Sequence, residues 1–234
     1  MKVVAISLWR RPDYTRRILE ALLRCDGIGD YHAVISLDGG AHPEVVKAAE
    51  EAAFKSKEIL PADAKRNCNG NIGRCLTRAF ELADYVVHVE DDILLAKDAI
   101  RFFEWGRQFE KDARVFSVSA WRHDKGWLPE QGRPKPPGED DRVGRQQYFT
   151  CWGFATWRSR WEQMRRGWPP DGHDKIKSWD EHTTSVRASR EEIIPFVSRV
   201  QNIGQELGTH RGDCLNSYWI ESPRAKFSGN YRLL

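Results

Sequence analysis

The chain has 234 residues, 40% of them hydrophobic, which suffices for one large domain with a substantial core. Its 37 basic and 34 acidic residues leave a net charge of +3, too small to argue for nucleic acid without a localised basic stripe. Five cysteines (Cys25, Cys68, Cys75, Cys151, Cys214) are an odd number without a CxxC pair, which argues against a disulfide framework or zinc site and fits reduced thiols in a cytoplasmic protein.

Met1-Lys2 leads straight into "VVAISL", without a signal-peptide core or an apolar run of membrane-spanning length, so a soluble, unsecreted protein is expected. "KVVAISL" reads as a strand. "RPDYTRRILEALLRC" reads as a helix, with Ile18, Leu19, Leu22 and Leu23 at helical spacing and Gly27 at its end. "YHAVISLDGG" repeats the pattern, a strand closed by Asp38-Gly39-Gly40, and "HPEVVKAAEEAAFKSKEIL" is predicted as one alanine-rich helix with Pro43 near its start. "NGNIGRCLTRAFELA" predicts a glycine-rich turn entering a third helix, and "YVVHV" the strand that follows. "AKDAIRFFEWGRQFEKD" is a fourth helix and "VFSVSAW" a fourth strand. Strands alternating with helices imply an α/β fold with a mainly parallel central sheet flanked by helices. From Arg122 to Gln147 the chain is rich in Pro, Gly and charge and reads as a mobile loop. "YFTCWGFATWRSRWEQM" is a strand or turn entering an amphipathic helix, and the last third is expected to be loop-rich with short helices.

In open α/β sheets ligands bind beyond the carboxyl ends of the strands. Three polar tips fall there: "LWRR" after the first strand, Asp38 after the second, and Glu90-Asp91-Asp92 after "YVVHV". Three acids at the tip of a buried strand repel one another and resist desolvation, so something positive is expected to be bound there, a metal ion being the obvious candidate. Alternation along the strand would put Glu90 and Asp92 on one face and Asp91 on the other. A hard divalent cation completing its shell with phosphate oxygens fits such a group. The competing reading is that the acids cap a helix beginning in "ILLAKDAI".

"VVHVEDDILLAKDAIRFFEW", "VFSVSAW", "YFTCWGFATWRSRWEQM", "SWDE" and "IIPFVSRVQNIGQELGTHRGD" follow one another as in the N-acetylglucosaminyltransferase I family, which this sequence resembles over nearly its whole length. The resemblance implies a GT-A fold and an inverting, metal-dependent transfer of a sugar such as GlcNAc from a nucleotide-diphosphate donor, UDP-linked by expectation. The acceptor would be a carbohydrate or protein-linked hydroxyl. It implies a single domain over 1–234, with a nucleotide-sugar half (1–120), a mobile loop (121–147) and an acceptor and catalytic half (148–234). "EDD" would be the DXD motif, with Asp92 the ligand of Mn²⁺ or Mg²⁺ and Glu90 and Asp91 near the ribose and the metal's waters. Asp38 matches the uracil-contacting acid, Asp180 of "SWDE" the catalytic base, and "SRVQNIGQELGTH" a loop closing over the diphosphate. Arg10 and Arg11 are the nearest counterparts of the family's arginine after the first strand, with Arg74 a further donor-side candidate. The family's histidine near the base has no match in "NGNIGRCL", and its N-terminal anchor and stem are not found in this sequence.

An inverting transfer needs a carboxylate to take the acceptor proton and a positive centre at the leaving diphosphate, roles that Asp180 and a metal at Asp92 could fill. For Asp180 the alternative is a helix cap. Arg199 and His210 lie in a segment whose Gly204, Gly208 and Gly212 permit movement, and they are candidates for the phosphates; for His210 a solvated loop position is the alternative. Trp121, Trp152, Gly153 and Trp179 are candidates for the sugar, whereas Trp105, Trp157 and Trp161 stand at helical positions expected in the core. Two other functions are weighed. A sugar nucleotidylyltransferase would need a glycine-rich basic signature that "LWRRPDY" lacks, and a non-catalytic carbohydrate-binding protein would not need Asp92 and Asp180.

Overall fold

The computed structural model describes residues 1–122, 141–204 and 229–234. The first strand, β1 (Lys2–Leu8), sends Val4, Ile6 and Leu8 to one face and Val3 and Ala5 to the other, and both sets are buried. Helix α1 (Pro12–Leu23) starts on a proline, whose missing amide costs nothing at a helix start. Strand β2 (Tyr31–Leu37) follows, then α2 (Pro43–Glu51). The alanine-rich segment is not one helix. It stops at Glu51, where Lys57 Nζ donates to the carbonyls of Ala49 (3.1 Å) and Ala52 (2.8 Å), and Ser56–Pro61 forms edge strand β3 beside β2. Helix α3 (Asn67–Leu82) contains the glycines expected in a preceding turn, and β4 (Tyr85–Glu90) carries the acids.

The short strand β5 (Ile93–Leu95) precedes α4 (Ala99–Gly106), and β6 (Val115–Ser119) follows. Arg142–Gln146, expected in a loop, is strand β7, held antiparallel to β9; residues 123–140 lie outside the described residues. Next come β8 (Phe154–Trp157), α5 (Arg158–Met164), α6 (Trp179–Arg187), β9 (Glu191–Pro195), β10 (Val200–Asn202) and β11 (Arg232–Leu233). The sheet order is β11-β7-β9-β6-β8-β4-β1-β2-β3, and β5 and β10 form a separate antiparallel ribbon. From β3 to β4 the strands are parallel, and β6 and β9 share their direction while β8 is inserted antiparallel between β4 and β6. One apolar layer gathers α1, α2 and α4, and the other α3, α5 and α6. Among the described residues no helix is long and apolar enough to cross a membrane.

Among the polar side chains buried in the sheet are His88 and Glu192. His88 of β4 bonds Ser7 Oγ through Nε2 (3.1 Å), and burial pushes its pKa down to about 3. Glu192 of β9 accepts from Ser117 Oγ (2.8 Å), Gln146 Nε2 (2.9 Å) and the Thr150 amide (2.9 Å). Burial outweighs these bonds and pushes its carboxyl from 4.5 up to about 7. Between those two values the folded chain keeps the proton and the unfolded chain releases it, so stability falls as pH rises through the window. In Glu192→Gln the amide donates to Ser117 Oγ and still accepts from Gln146 and Thr150. At pH 8 this variant is expected to exceed the parent by roughly 3 kcal/mol, a margin that closes below about pH 4.5. Urea midpoints at the two pH values check it, and equal midpoints at pH 8 would contradict it.

Candidate active site

Leaving β1 the chain builds β2 and β3 to one side, and β4 comes back on the other, so a crevice opens where β1 and β4 end. Trp9, Arg10 and Arg11 follow β1, Asp38 follows β2, and Glu90, Asp91 and Asp92 stand at the end of β4.

In this structure the positive partner of the acids comes from the chain itself. Arg11 Nε donates to Asp91 Oδ2 (3.2 Å), its Nη2 donates to Asp91 Oδ1, and the same Nη2 lies 3.0 Å from Asp92 Oδ2. The strand's alternation ends at Glu90. Asp91 and Asp92 form a turn, so both carboxylates reach Arg11 instead of facing opposite ways. The helix-cap alternative for these acids falls away as well, because the turn leads into β5 and α4 begins only after Asp98.

One guanidinium does not balance three carboxylates. Burial, then Asp92 and Asp91, push Glu90 well above the ordinary carboxylate range, and burial raises Asp92 despite Arg11. Burial opposes the charge on Arg11, but Asp92 and Asp91 outweigh it and hold the guanidinium proton more tightly. Among the described residues no three His, Cys, Asp or Glu side chains converge as a metal cage. A cation that arrives with a diphosphate needs only one or two carboxylates, and the under-neutralised pair Glu90 and Asp92 fits that smaller demand.

Asp180 stands in the first turn of α6. Helix α6 is capped by Ser178, whose Oγ accepts the Glu181 amide (3.4 Å) while Glu181 Oε2 accepts the Ser178 amide (3.1 Å), so Asp180 is not its cap. Among the described residues the Asp180 carboxylate has no hydrogen bond or ion pair. After burial and nearer acids, its charge adds to the upward shifts of Glu90, Cys68 and Cys151, so it stands within electrostatic reach of them. Cys68 Sγ lies 3.9 Å from Glu90 Oε2.

Other candidates are committed elsewhere. Asp38 accepts the amides of Gly39 (2.9 Å), Arg66 (2.7 Å) and Asn67 (3.1 Å), so it holds the chain where α3 starts. Arg10 donates to Gly40 O (3.1 Å) and lies over Trp9, whose ring also carries Lys65 Nζ at 4.4 Å. Arg74 donates to the carbonyls of Leu60 (3.1 Å) and Pro61 (2.6 Å), fastening β3 to α3. Arg199 is fully buried. It donates from Nε to Asp98 Oδ2 (2.9 Å), which also accepts the Tyr231 hydroxyl (2.9 Å), so it is tied into the packing of α4 and β11.

Trp179 is buried and packs on Phe154 and Trp168, ring centroids 5.9 and 6.2 Å away, which makes it core beneath the cleft. Trp121 and Trp152 meet edge to face at 5.0 Å, Trp121 buried and Trp152 half-buried. Gly153 takes φ +70° and lets Val200 pack against it. Gly204 passes so close to Asp92 that a Cβ there would collide with Oδ2, while the Ile203 amide donates to Asp92 O (2.8 Å). His210 and the remainder of the expected closing loop from residue 205 lie outside the described residues.

Sequence reasoning missed Asn69, Cys68, Asp174 and Trp9. The Asp174 carboxylate accepts the Asn69 amide (2.6 Å), capping α3 from a segment 105 residues away, and no local pattern announces that. The asparagines of "NCNGN" were the available signal, since side-chain amides at a buried helix start must find partners.

No protein-family model matches the chain. Solved structures do. TarS 1-349 of S. aureus in complex with UDP-GlcNAc aligns with a TM-score of 0.61 at 12% identity, covering 94% of this chain and 62% of that one. The same protein in complex with UDP aligns at 0.56 and 13% identity, covering 83% and 57%. A longer TarS structure aligns at 0.53 and 13%, covering 83% and 35%. The present chain therefore spans less than two thirds of the length of these structures. At such identities the likeness is one of fold, and this α/β chain, with its large, mostly parallel sheet flanked by helices, has a GT-A-like architecture.

Proposed function

We propose that the chain is an inverting GT-A glycosyltransferase that moves a sugar such as GlcNAc from a UDP-linked donor to a hydroxyl acceptor, in the manner of the N-acetylglucosaminyltransferase I family. The observation that carries the reading is the gathering of Glu90, Asp91 and Asp92 around Arg11 where β1 and β4 end, with Asp180, whose carboxylate has no hydrogen bond or ion pair among the described residues, near enough for its charge to raise Glu90 further. The complexes of fold neighbours with UDP and UDP-GlcNAc support the choice of donor.

In this reading Asp180 takes the proton of the acceptor hydroxyl as its oxygen attacks the anomeric carbon. The bond from that carbon to the diphosphate breaks with inversion, and UDP leaves with the electron pair. Arg11, held by Asp91 and Asp92, keeps a positive charge beside the place where negative charge develops. A Mn²⁺ or Mg²⁺ held by Asp92, with Glu90 behind it, would neutralise the departing diphosphate. Trp121 and Trp152 stand at the carboxyl end of β6 and before β8, where the sugar would be met.

A thermal-shift panel of nucleotide sugars with and without Mn²⁺ tests the proposal. UDP-sugars at about 100 times their Kd should stabilise the chain by roughly 2.7 kcal/mol, whereas free sugars should not. Stabilisation by sugars alone would favour the non-catalytic carbohydrate-binding reading.

A further inference from the structure

We infer that Asn69 is the positioning residue that fixes Asp180 relative to Glu90, an inference that rests on Asp180 being the base. Asn69 is fully buried in the first turn of α3 and spends its side chain on the segment entering α6. Its Nδ2 donates to Lys177 O (3.0 Å) and its Oδ1 accepts the Trp179 amide (2.9 Å). Its own amide donates to Asp174 Oδ1 (2.6 Å), and its carbonyl accepts from Trp168 Nε1 (2.9 Å).

Lys177 and Trp179 flank Ser178, the cap of α6, and Asp180 is the residue after Trp179. Two bonds from one amide therefore set the chain direction on both sides of that cap. The other end of the clamp is equally fixed. Cys68, the neighbour of Asn69, reaches Glu90, and Asp38 holds the amides of Arg66 and Asn67. The segment that carries Asp180 is thus tied to the start of α3, beside Cys68 and Glu90, by a side chain that donates to Lys177 O and accepts from the Trp179 amide. Aspartate at this position cannot donate to Lys177 O, and alanine does neither. The two glycines that follow allow the close approach: a Cβ at Gly70 would collide with the Asp171 carboxylate, and one at Gly73 with the Trp168 indole.

A base displaced by about 1 Å loses roughly 10²-fold in rate without a matching loss of ground-state binding, and this distinguishes positioning from general support. The experiment is a double-mutant cycle on the full chain, following UDP release from UDP-GlcNAc with water as acceptor in Mn²⁺. Asn69→Ala is expected to lower kcat by roughly 30- to 100-fold with KM within about threefold, and to add less than about threefold to the loss in Asp180→Asn. A full multiplicative loss in the Asp180→Asn background, or a rise in KM at parental kcat, would overturn the inference. If Asn69→Ala does not fold, Asn69→Ser, a small polar side chain that breaks the paired link to Lys177 and Trp179 without burying a charge, takes its place in the cycle with the same criteria. If Asp180→Asn itself releases UDP at the parental rate, the base assignment falls and this inference with it. An impaired Asp180→Asn with additive Asn69→Ala would overturn the positioning role alone.

Discussion

Asp180→Asn is expected to lower kcat by roughly 10²-fold or more while leaving UDP affinity within about threefold. A base acts on the acceptor hydroxyl mainly in the transition state, so its loss should be seen in turnover and hardly in donor binding. Stability should also be spared. The carboxylate has no hydrogen bond or ion pair among the described residues, and the capping of α6 belongs to Ser178 and Glu181. A cap residue would behave in the opposite way, costing about 1 kcal/mol of stability and little chemistry. Melting temperature, UDP affinity and sugar transfer measured on one preparation separate the two. Transfer at close to the parental rate would contradict the assignment, and Glu181 and His210 would be the next carboxylate and imidazole to examine.

UDP binding is expected to be at least about tenfold tighter in Mn²⁺ than in EDTA, and Asp92→Asn should abolish that difference. The physical reason is charge. Arg11 offsets only part of the field of Glu90, Asp91 and Asp92, and a diphosphate entering without a cation would add negative charge to a site already in excess. Calorimetry gives both numbers. Equal affinity in the two buffers would mean that Arg11 alone supplies the counter-charge.

The buried strands were legible because parallel strands covered on both faces read as β-branched runs. β1 and β2 match "KVVAISL" and "YHAVISL". The edge strand β3 was not, since "SKEILP" is half-exposed and carries Lys57 and Glu58, and its alanine-rich neighbour pulled it into a helix reading. Three-residue strands such as β5 and β10 are too short for any periodicity to announce. Gly70 and Gly73 looked like a turn because glycine weakens helices. Here they sit inside α3 for the room they leave to Asp171 and Trp168, about 100 residues along the chain.

The candidate site divides in the same way. Acids at strand tips point to the crevice from sequence alone, because only a few positions of an α/β sheet present charge there. Which cation meets them depends on Arg11 approaching across 80 residues. The glycine-rich surroundings of Arg199 suggest a moving phosphate ligand, yet its partner Asp98 lies 101 residues back and holds it in the core. Asp38 was visible as a strand-tip acid, but the three amides it accepts are brought to it by the path of the chain into α3.

The central claim is that this crevice turns over a UDP-sugar, and the most direct measurement is the rate of UDP release from a panel of UDP-hexoses and UDP-N-acetylhexosamines in Mn²⁺, with Asp180→Asn and Asp92→Asn alongside. The account predicts release from at least one donor, slowed by roughly 10²-fold in Asp180→Asn at similar KM and lost with donor binding in Asp92→Asn. Release from no donor, or equal rates in the parent and both variants, would contradict it.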